Sequence, residues 1–469
     1  MRRFCRFLRG FVRQKPRAGE YNGRKPRTRG ERELFSWKTL EELREAAEKA
    51  GAQLPLAEDT SCLRQSWQAG AHAVPNRIVI QPMEGCDSEA DGSPGAPTRR
   101  RYLRLAAGGA GMIWLEACAV CRQGRANPRQ LWIREENVDA FRRLADEMRE
   151  TALRTTGVAP VLVLQLTHSG RYSKPDGVPA PRIACNNPLF EKDAPLPESC
   201  IVTDAEIERA EDDTARAAAL AQRAGFDGAD IKASHRYLGS ELLSAFTRPG
   251  PYGGSFENRT RFLRNALRKA RQAVHGEFLL TSRLNAYDGF PYPYGFGAAE
   301  GGGLEPDLAE PIRLVQILRD ELGLPLVNIT IGNPYVNPHV NRPADWQPYP
   351  LPEDPLLGVA RMLACVGGIK RAAPGVQIVG SALSYPRQFT GNLAAGAIGA
   401  GLMDAAGFGR LSFAYPEFAR DLLSGAGLDR RRCCVACGKC SQLMRMGSRT
   451  GCVVRDPEFT NLYKELTKK

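Results

Sequence analysis

Hydrophobic runs long enough to cross a bilayer are missing from this 469-residue chain, although 43% of it is apolar. A spanning helix needs roughly 20 consecutive apolar residues, so no membrane partner is expected. Also missing is the apolar centre that a secretion signal places behind its positive charges. The chain opens on a strongly basic stretch. Residues 1–32 hold twelve Arg or Lys against two acids, Glu20 and Glu31, and so supply +10 of the +13 total. The remainder is close to neutral, which removes the charge argument for nucleic-acid binding by the body of the protein. The basic head reads as a disordered tail, or as a start placed too far upstream, and the protein as cytoplasmic. No G-x-G-x-x-G turn follows any apolar run, which disfavours a doubly wound dinucleotide fold. Cysteine is present but uneven: five of the 13 lie between Cys433 and Cys452, which suits a metal or iron–sulfur site better than a secreted disulfide scaffold.

What the sequence does contain is a rhythm. Short runs rich in Val, Ile and Leu alternate with longer helical patterns, the signature of βα units around a parallel sheet. The runs fall at 77–81, 111–119, 159–166, 228–233, 278–284, 326–331, 376–380 and 402–407. The helical patterns start near Pro97, Val138, Asp204, Ser255, Leu308, Pro355, Pro386 and Pro416. Eight of each predict an α/β protein, a (β/α)₈ TIM barrel. Ahead of it stand an amphipathic helix over 37–49 and a loop-like lead-in over 51–70. Four regions are expected: a basic tail (1–32), a helical lead-in (33–72), the barrel (73–425) and a Cys-rich segment (426–469). A Pro-rich insert (169–203) and a Gly- and Tyr-rich insert (285–304) follow the third and fifth strands, where they would form lids or substrate walls.

In such a barrel the reactive groups sit just past the strands' carboxyl ends. The first strand ends in Pro82, Met83 and Glu84, and the third in Gln165, His168 and Arg171. The fourth gives Lys232, His235 and Tyr237. Arg283 ends the fifth, Gly332 and Asn333 the sixth, Gly380 and Ser381 the seventh, and Gly407, Gly409 and Arg410 the eighth. One polar strand end is ordinary, but recurrence at nearly every end is the pattern of an active site. Glycines after the last two strands let backbone N–H groups approach a phosphate, and Arg410 adds charge there. The spacing Cys434-x2-Cys437-x2-Cys440-x11-Cys452 fits a [4Fe–4S] cluster or a zinc ion, and spacing alone leaves both open.

The segments DGADIKASHRYL and YGGSFENRTRF resemble the motif pair of the old yellow enzyme family of FMN-dependent oxidoreductases, and the likeness runs from about Ala73 to Phe418. The resemblance implies that Gln165, within LQLTHSGRY, binds the flavin pyrimidine edge, and that Arg283 stands beside the flavin N1 and C2 carbonyl. Pro82, Met83 and Glu84 then lie near the flavin, and Gly380, Ser381, Gly409 and Arg410 near its phosphate. Tyr237 matches the family's proton donor. Lys232 and His235 occupy the places of the substrate-holding pair, with Lys232 where relatives carry His, which favours an anionic or strongly polarised substrate. Glu84 replaces a Thr or Cys, as a base or as a partner for Lys232.

Cysteines directly after such a barrel resemble the iron–sulfur subfamily of 2,4-dienoyl-CoA reductase and trimethylamine dehydrogenase. That likeness implies a [4Fe–4S] cluster on Cys434, Cys437, Cys440 and Cys452, with Cys433 as a packing neighbour or an alternative first ligand. Those relatives continue into a second nucleotide-binding module, whereas this sequence stops at Lys469. Either NAD(P)H reduces FMN directly or a separate electron-transfer protein docks near the cluster. The expected function is reduction of an activated C=C bond in a small unsaturated substrate, with a homo-oligomer among the expected partners. Amine oxidation is the second reading and a zinc-bearing nucleic-acid binder the third.

Overall fold

The computed structural model describes residues 36–301, 304–345, 347 and 349–468; the basic head through residue 32 lies outside them. Eight parallel strands close into a barrel: Ile78–Ile80 (β1), Met112–Ala119 (β2), Val161–Thr167 (β3), Gly228–Ile231 (β4), Leu279–Tyr287 (β5), Leu326–Ile331 (β6), Gln377–Gly380 (β7) and Ala405–Phe408 (β8). Parallel pairing of β8 with both β1 and β7 completes the ring. The helices after successive strands are Ala96–Ala106 (α1), Val138–Thr156 (α2), Asp204–Arg223 (α3), Phe256–Ala273 (α4), Ala309–Leu322 (α5), Pro355–Ala372 (α6), Thr390–Gly399 (α7) and Phe418–Ser424 (α8). Their starts follow local chemistry. Thr203 and Glu206 form a capping box on α3, Ser255 caps α4, and Asp354 caps α6 ahead of Pro355.

Both faces of every strand are buried, and the two-residue period separates them. Ile78, Ile80, Ile113, Leu115, Leu162 and Leu164 face outward into the core shared with the helices. Val79, Met112, Trp114, Val163, Leu326 and Val379 fill the barrel. Along the inward line the chemistry changes toward the carboxyl ends. Val79 is followed by Gln81, Val163 by Gln165, and Leu326 by Asn328 and Thr330. Leu279 leads to Thr281 and Arg283, and Gly228 to Asp230 and Lys232, all buried. An apolar floor thus carries a polar upper layer.

The lead-in departs from the loop expected over 51–70. Trp67–Ala69 pairs with His72–Val74 as a hairpin through a two-residue turn. Gly70 opens that turn at φ +63°, a left-handed conformation that favours glycine. Trp67, Ala69 and Val74 pack onto the barrel's interior residues and close its amino-terminal mouth. The lead-in helix covers Leu40–Ala50. Beyond the barrel, the helices Lys439–Arg445 and Pro457–Thr467 share a small core of Leu443, Val453 and Phe459. Asp456, paired with Arg100 at 3.0 Å and Arg104 at 2.9 Å, ties this segment to α1. No helix among the described residues is long and apolar enough to cross a membrane.

Candidate active site

The fourth strand's end meets the first strand's end across the barrel mouth. Glu84 Oε1 accepts a hydrogen bond from Tyr237 Oη at 2.5 Å and faces Lys232 Nζ at 3.4 Å. The ammonium also lies 3.2 Å from the centroid of the Tyr237 ring, a cation–π contact. All three side chains are largely removed from solvent. Burial, with Glu84 adding to it, pushes the Tyr237 phenol well above its ordinary range, so it stays protonated. Burial lowers Lys232 to about 8 against the opposing pull of Glu84.

Tyr335, which sequence reasoning missed, joins from the loop after β6. Its hydroxyl is 3.0 Å from Tyr237 Oη, and its ring stands 4.3 Å from that of Tyr172. Asn333 fixes both neighbours, donating from Nδ2 to Tyr172 Oη at 3.0 Å and accepting from the Tyr335 N–H at 2.8 Å.

His235 and Arg236 both adopt positive φ, +64° and +61°, a strained turn for non-glycine residues. Arg236 is buried and holds the turn through the Tyr294 carbonyl (3.0 Å) and Asp288 (3.3 Å). Asn341 then fixes the histidine. Its Nδ2 donates to the Ile331 carbonyl at 2.8 Å and lies 3.1 Å from His235 Nε2. The carbonyl requires a donor, which orients the amide, so Nε2 accepts and Nδ1 carries the proton. Desolvation, reinforced by Arg283 and Lys232, drops His235 well below its ordinary range and keeps it neutral.

Beneath this cluster lies the polar layer. Asp230 Oδ2 accepts from Gln165 Nε2 (2.6 Å) and Trp114 Nε1 (2.8 Å), while Oδ1 accepts from the Arg283 N–H (2.5 Å). Gln81 reaches across to Asn328, the Gly380 carbonyl and Ser381 Oγ at 3.0, 3.2 and 3.1 Å. Gly407 makes room for it, since a Cβ there would fall 1.9 Å from Gln81 Nε2. Met83 crowds Gly409 in the same way, and Pro82 is buried. Arg283 is the exception to this satisfaction. Its side chain is buried, Nε has no hydrogen-bond partner, and burial lowers it to about 10. Among the described residues no acceptor is bonded to this guanidinium, which leaves it open to an acceptor that is not protein.

His168 and Arg171 take structural places. His168 Nδ1 accepts the Gly170 N–H at 3.1 Å, and burial lowers it to about 4. Arg171 pairs with Glu191 and Glu241 inside the protein. It stacks on Phe190, whose ring meets Phe290 edge-on at 5.4 Å. The two inserts therefore touch each other beside the site.

Cys434, Cys437, Cys440 and Cys452 line one cavity together with Arg410, so Arg410 stands between the barrel end and the thiols. Among the described residues no three His, Cys, Asp or Glu side chains come together as a single-ion site. Cys433 turns the other way, fully buried in the main core. The segment leans on the active-site loops: the Thr450 N–H donates to the Gly85 carbonyl at 2.7 Å, and Arg445 reaches the Tyr335 carbonyl at 3.4 Å.

The Arg283 guanidinium and the Tyr237–Glu84 pair thus stand at the same carboxyl end of the (β/α)₈ barrel. Residues 66–296 match the model of the NADH:flavin oxidoreductase / NADH oxidase family. The NADPH dehydrogenase of Halalkalibacterium halodurans is 30% identical over 261 residues, which span 55% of this chain and 69% of that relative. The chain belongs to this family. The NADPH dehydrogenase of Geobacillus sp. (strain WCH70) is 36% identical over 224 residues, 46% of this chain and 61% of that relative's length. A solved 2-naphthoyl-CoA reductase complex with 2-naphthoyl-CoA superposes with a TM-score of 0.69 at 21% identity, covering 86% of this chain and 58% of that one; at that identity the likeness concerns the fold.

Proposed function

We propose that the protein is an FMN-dependent reductase of an activated C=C bond in an α,β-unsaturated carbonyl or carboxylate compound, with NAD(P)H as electron donor. The observation that carries this reading is the protonated Tyr237 hydroxyl at the same barrel end as the unpartnered Arg283. The residues present fit the cofactor. Arg283 offers its buried guanidinium to the pyrimidine edge, where a fixed positive charge favours an anionic reduced ring. Gln165 adds its free carboxamide oxygen. Gly380, Ser381, Gly409 and Arg410 would hold the phosphate, with Pro82, Met83 and Glu84 bordering the ring. Bound FMN would supply the hydride that the β carbon receives.

Tyr237 donates its proton to the α carbon. His235 donates from Nδ1 to the substrate's electron-withdrawing oxygen and steadies developing enolate charge, its tautomer set by Asn341. With Lys232 Nζ engaged by Glu84 and the Tyr237 ring, Lys232 supports the donor rather than gripping a substrate carboxylate. Cys434, Cys437, Cys440 and Cys452 would hold a [4Fe–4S] cluster, which supplies one-electron transfer. Four cysteines that line one cavity beside the barrel end supply the ligand set such a cluster needs.

Tyr237→Phe tests the reading. Reoxidation of the reduced flavin by an enone should slow roughly 10²-fold or more, with flavin reduction by NADPH slowed at least tenfold less. Equal loss in both half-reactions would remove Tyr237 as proton donor.

A further inference from the structure

One oxygen atom in the site serves two partners: Glu84 Oε1 accepts from Tyr237 Oη at 2.5 Å and faces Lys232 Nζ at 3.4 Å. If Tyr237 gave up its proton with nothing to replace it, a buried tyrosinate would stand beside a buried carboxylate, which like-charge repulsion opposes. We propose that Lys232, Glu84 and Tyr237 form a relay in which the Lys232 ammonium, passing a proton through Glu84 Oε1, restores the proton that Tyr237 gives to substrate. The relay rests on Tyr237 being the proton donor.

The bonds balance. An Nζ–H bond breaks as Oε1–H forms, Oε1–H breaks as Oη–H forms, and Oη–H breaks as the α carbon gains its hydrogen. Glu84 ends as a carboxylate and Tyr237 as a phenol. Lys232 ends as a neutral amine, and no electrons move between the three. At no stage do two anions face each other. Lysine suits this place because it can release a proton, and its depression to about 8 puts that release near neutral pH. Arg283, Asp230 and His235 also face Lys232, and of these the cation favours release while Asp230 opposes it. Cys86 and Glu116 face Glu84, and Tyr335 faces Tyr237. The thiol and both phenols are pushed up and stay protonated, and Glu116 lies near 7, so its titration would fall on the acid side of the lysine's.

The test mixes reduced holoenzyme with 2-cyclohexen-1-one anaerobically and follows flavin reoxidation across pH. Wild-type rates should fall above about 8, approaching tenfold per pH unit where one proton is required. Lys232→Arg keeps the cation but cannot release it, so that limb should vanish and the rate drop at least tenfold; Glu84→Gln should do the same. Independently, in resting holoenzyme labelled with ¹³Cε-lysine, the Lys232 resonance should titrate near 8 and move lower in Glu84→Gln, where the carboxylate favouring the cation is gone. A retained basic limb in Lys232→Arg, no limb in wild type, or a Lys232 titration in the usual lysine range would overturn the relay. A wild-type reduced flavin inert to enone would instead overturn the proposed function beneath it.

Discussion

Asp230 accepts hydrogen bonds from Trp114, Gln165 and Arg283, on three different strands, and so sets the floor on which a flavin would lie. Asp230→Asn places an amide where a carboxylate met two donors on one oxygen. Leaving a buried donor unpaired costs about 1–3 kcal/mol. We expect a lower midpoint in chemical denaturation together with weaker FMN binding by fluorescence titration; unchanged FMN affinity would detach Asp230 from the cofactor site. At this scale the sequence was legible only in part. Lys232, His235 and Tyr237 stood out because they crowd one strand end. Tyr335 and Asn341 did not, because they lie about a hundred positions further on and meet Tyr237 and His235 only through the closed barrel. Asp230 was hidden inside an apolar-looking strand.

Among the elements, the hairpin shows how short structure escapes pattern reading. Three-residue strands split by Gly70 have no visible period, yet Trp67 fills the barrel's lower mouth. Trp67→Ala should cost about 3–5 kcal/mol by the cavity it leaves, measured by denaturant unfolding, while the flavin spectrum is retained because the hairpin closes the end opposite the site. The barrel strands were readable as apolar runs because both their faces are buried. For the same reason their inside and outside faces could not be told apart from sequence.

The turn after β3 carries a pH dependence. Burial lowers His168 to about 4 from an ordinary 6.5, and His339 likewise. The unfolded chain therefore binds protons at these sites while the folded one does not. Stability from the neutral imidazoles is complete above about 6.5 and is lost as pH falls toward 4. Thermal melts across that window should show a steep decline that His168→Gln makes shallower; an unaltered slope would exclude His168 as a source.

Across the whole molecule, the Cys-rich segment is fastened to the loops that carry Glu84 and Tyr335, so the cysteine-lined cavity and the Glu84–Lys232–Tyr237 cluster stand side by side. The barrel could be inferred from the alternation of runs and helical patterns, and the cysteine set from its spacing. Their adjacency could not, because it depends on side-chain and backbone bonds between distant loops. In the function proposed above, one chain carries both FMN and an iron–sulfur cluster at this end of the barrel. The most direct measurement is an anaerobic absorption spectrum of the purified protein, taken before and after NADPH and then dithionite. The account predicts a flavin band over broad iron–sulfur absorbance, bleached by NADPH. A spectrum with neither chromophore after reconstitution with FMN, iron and sulfide would contradict it.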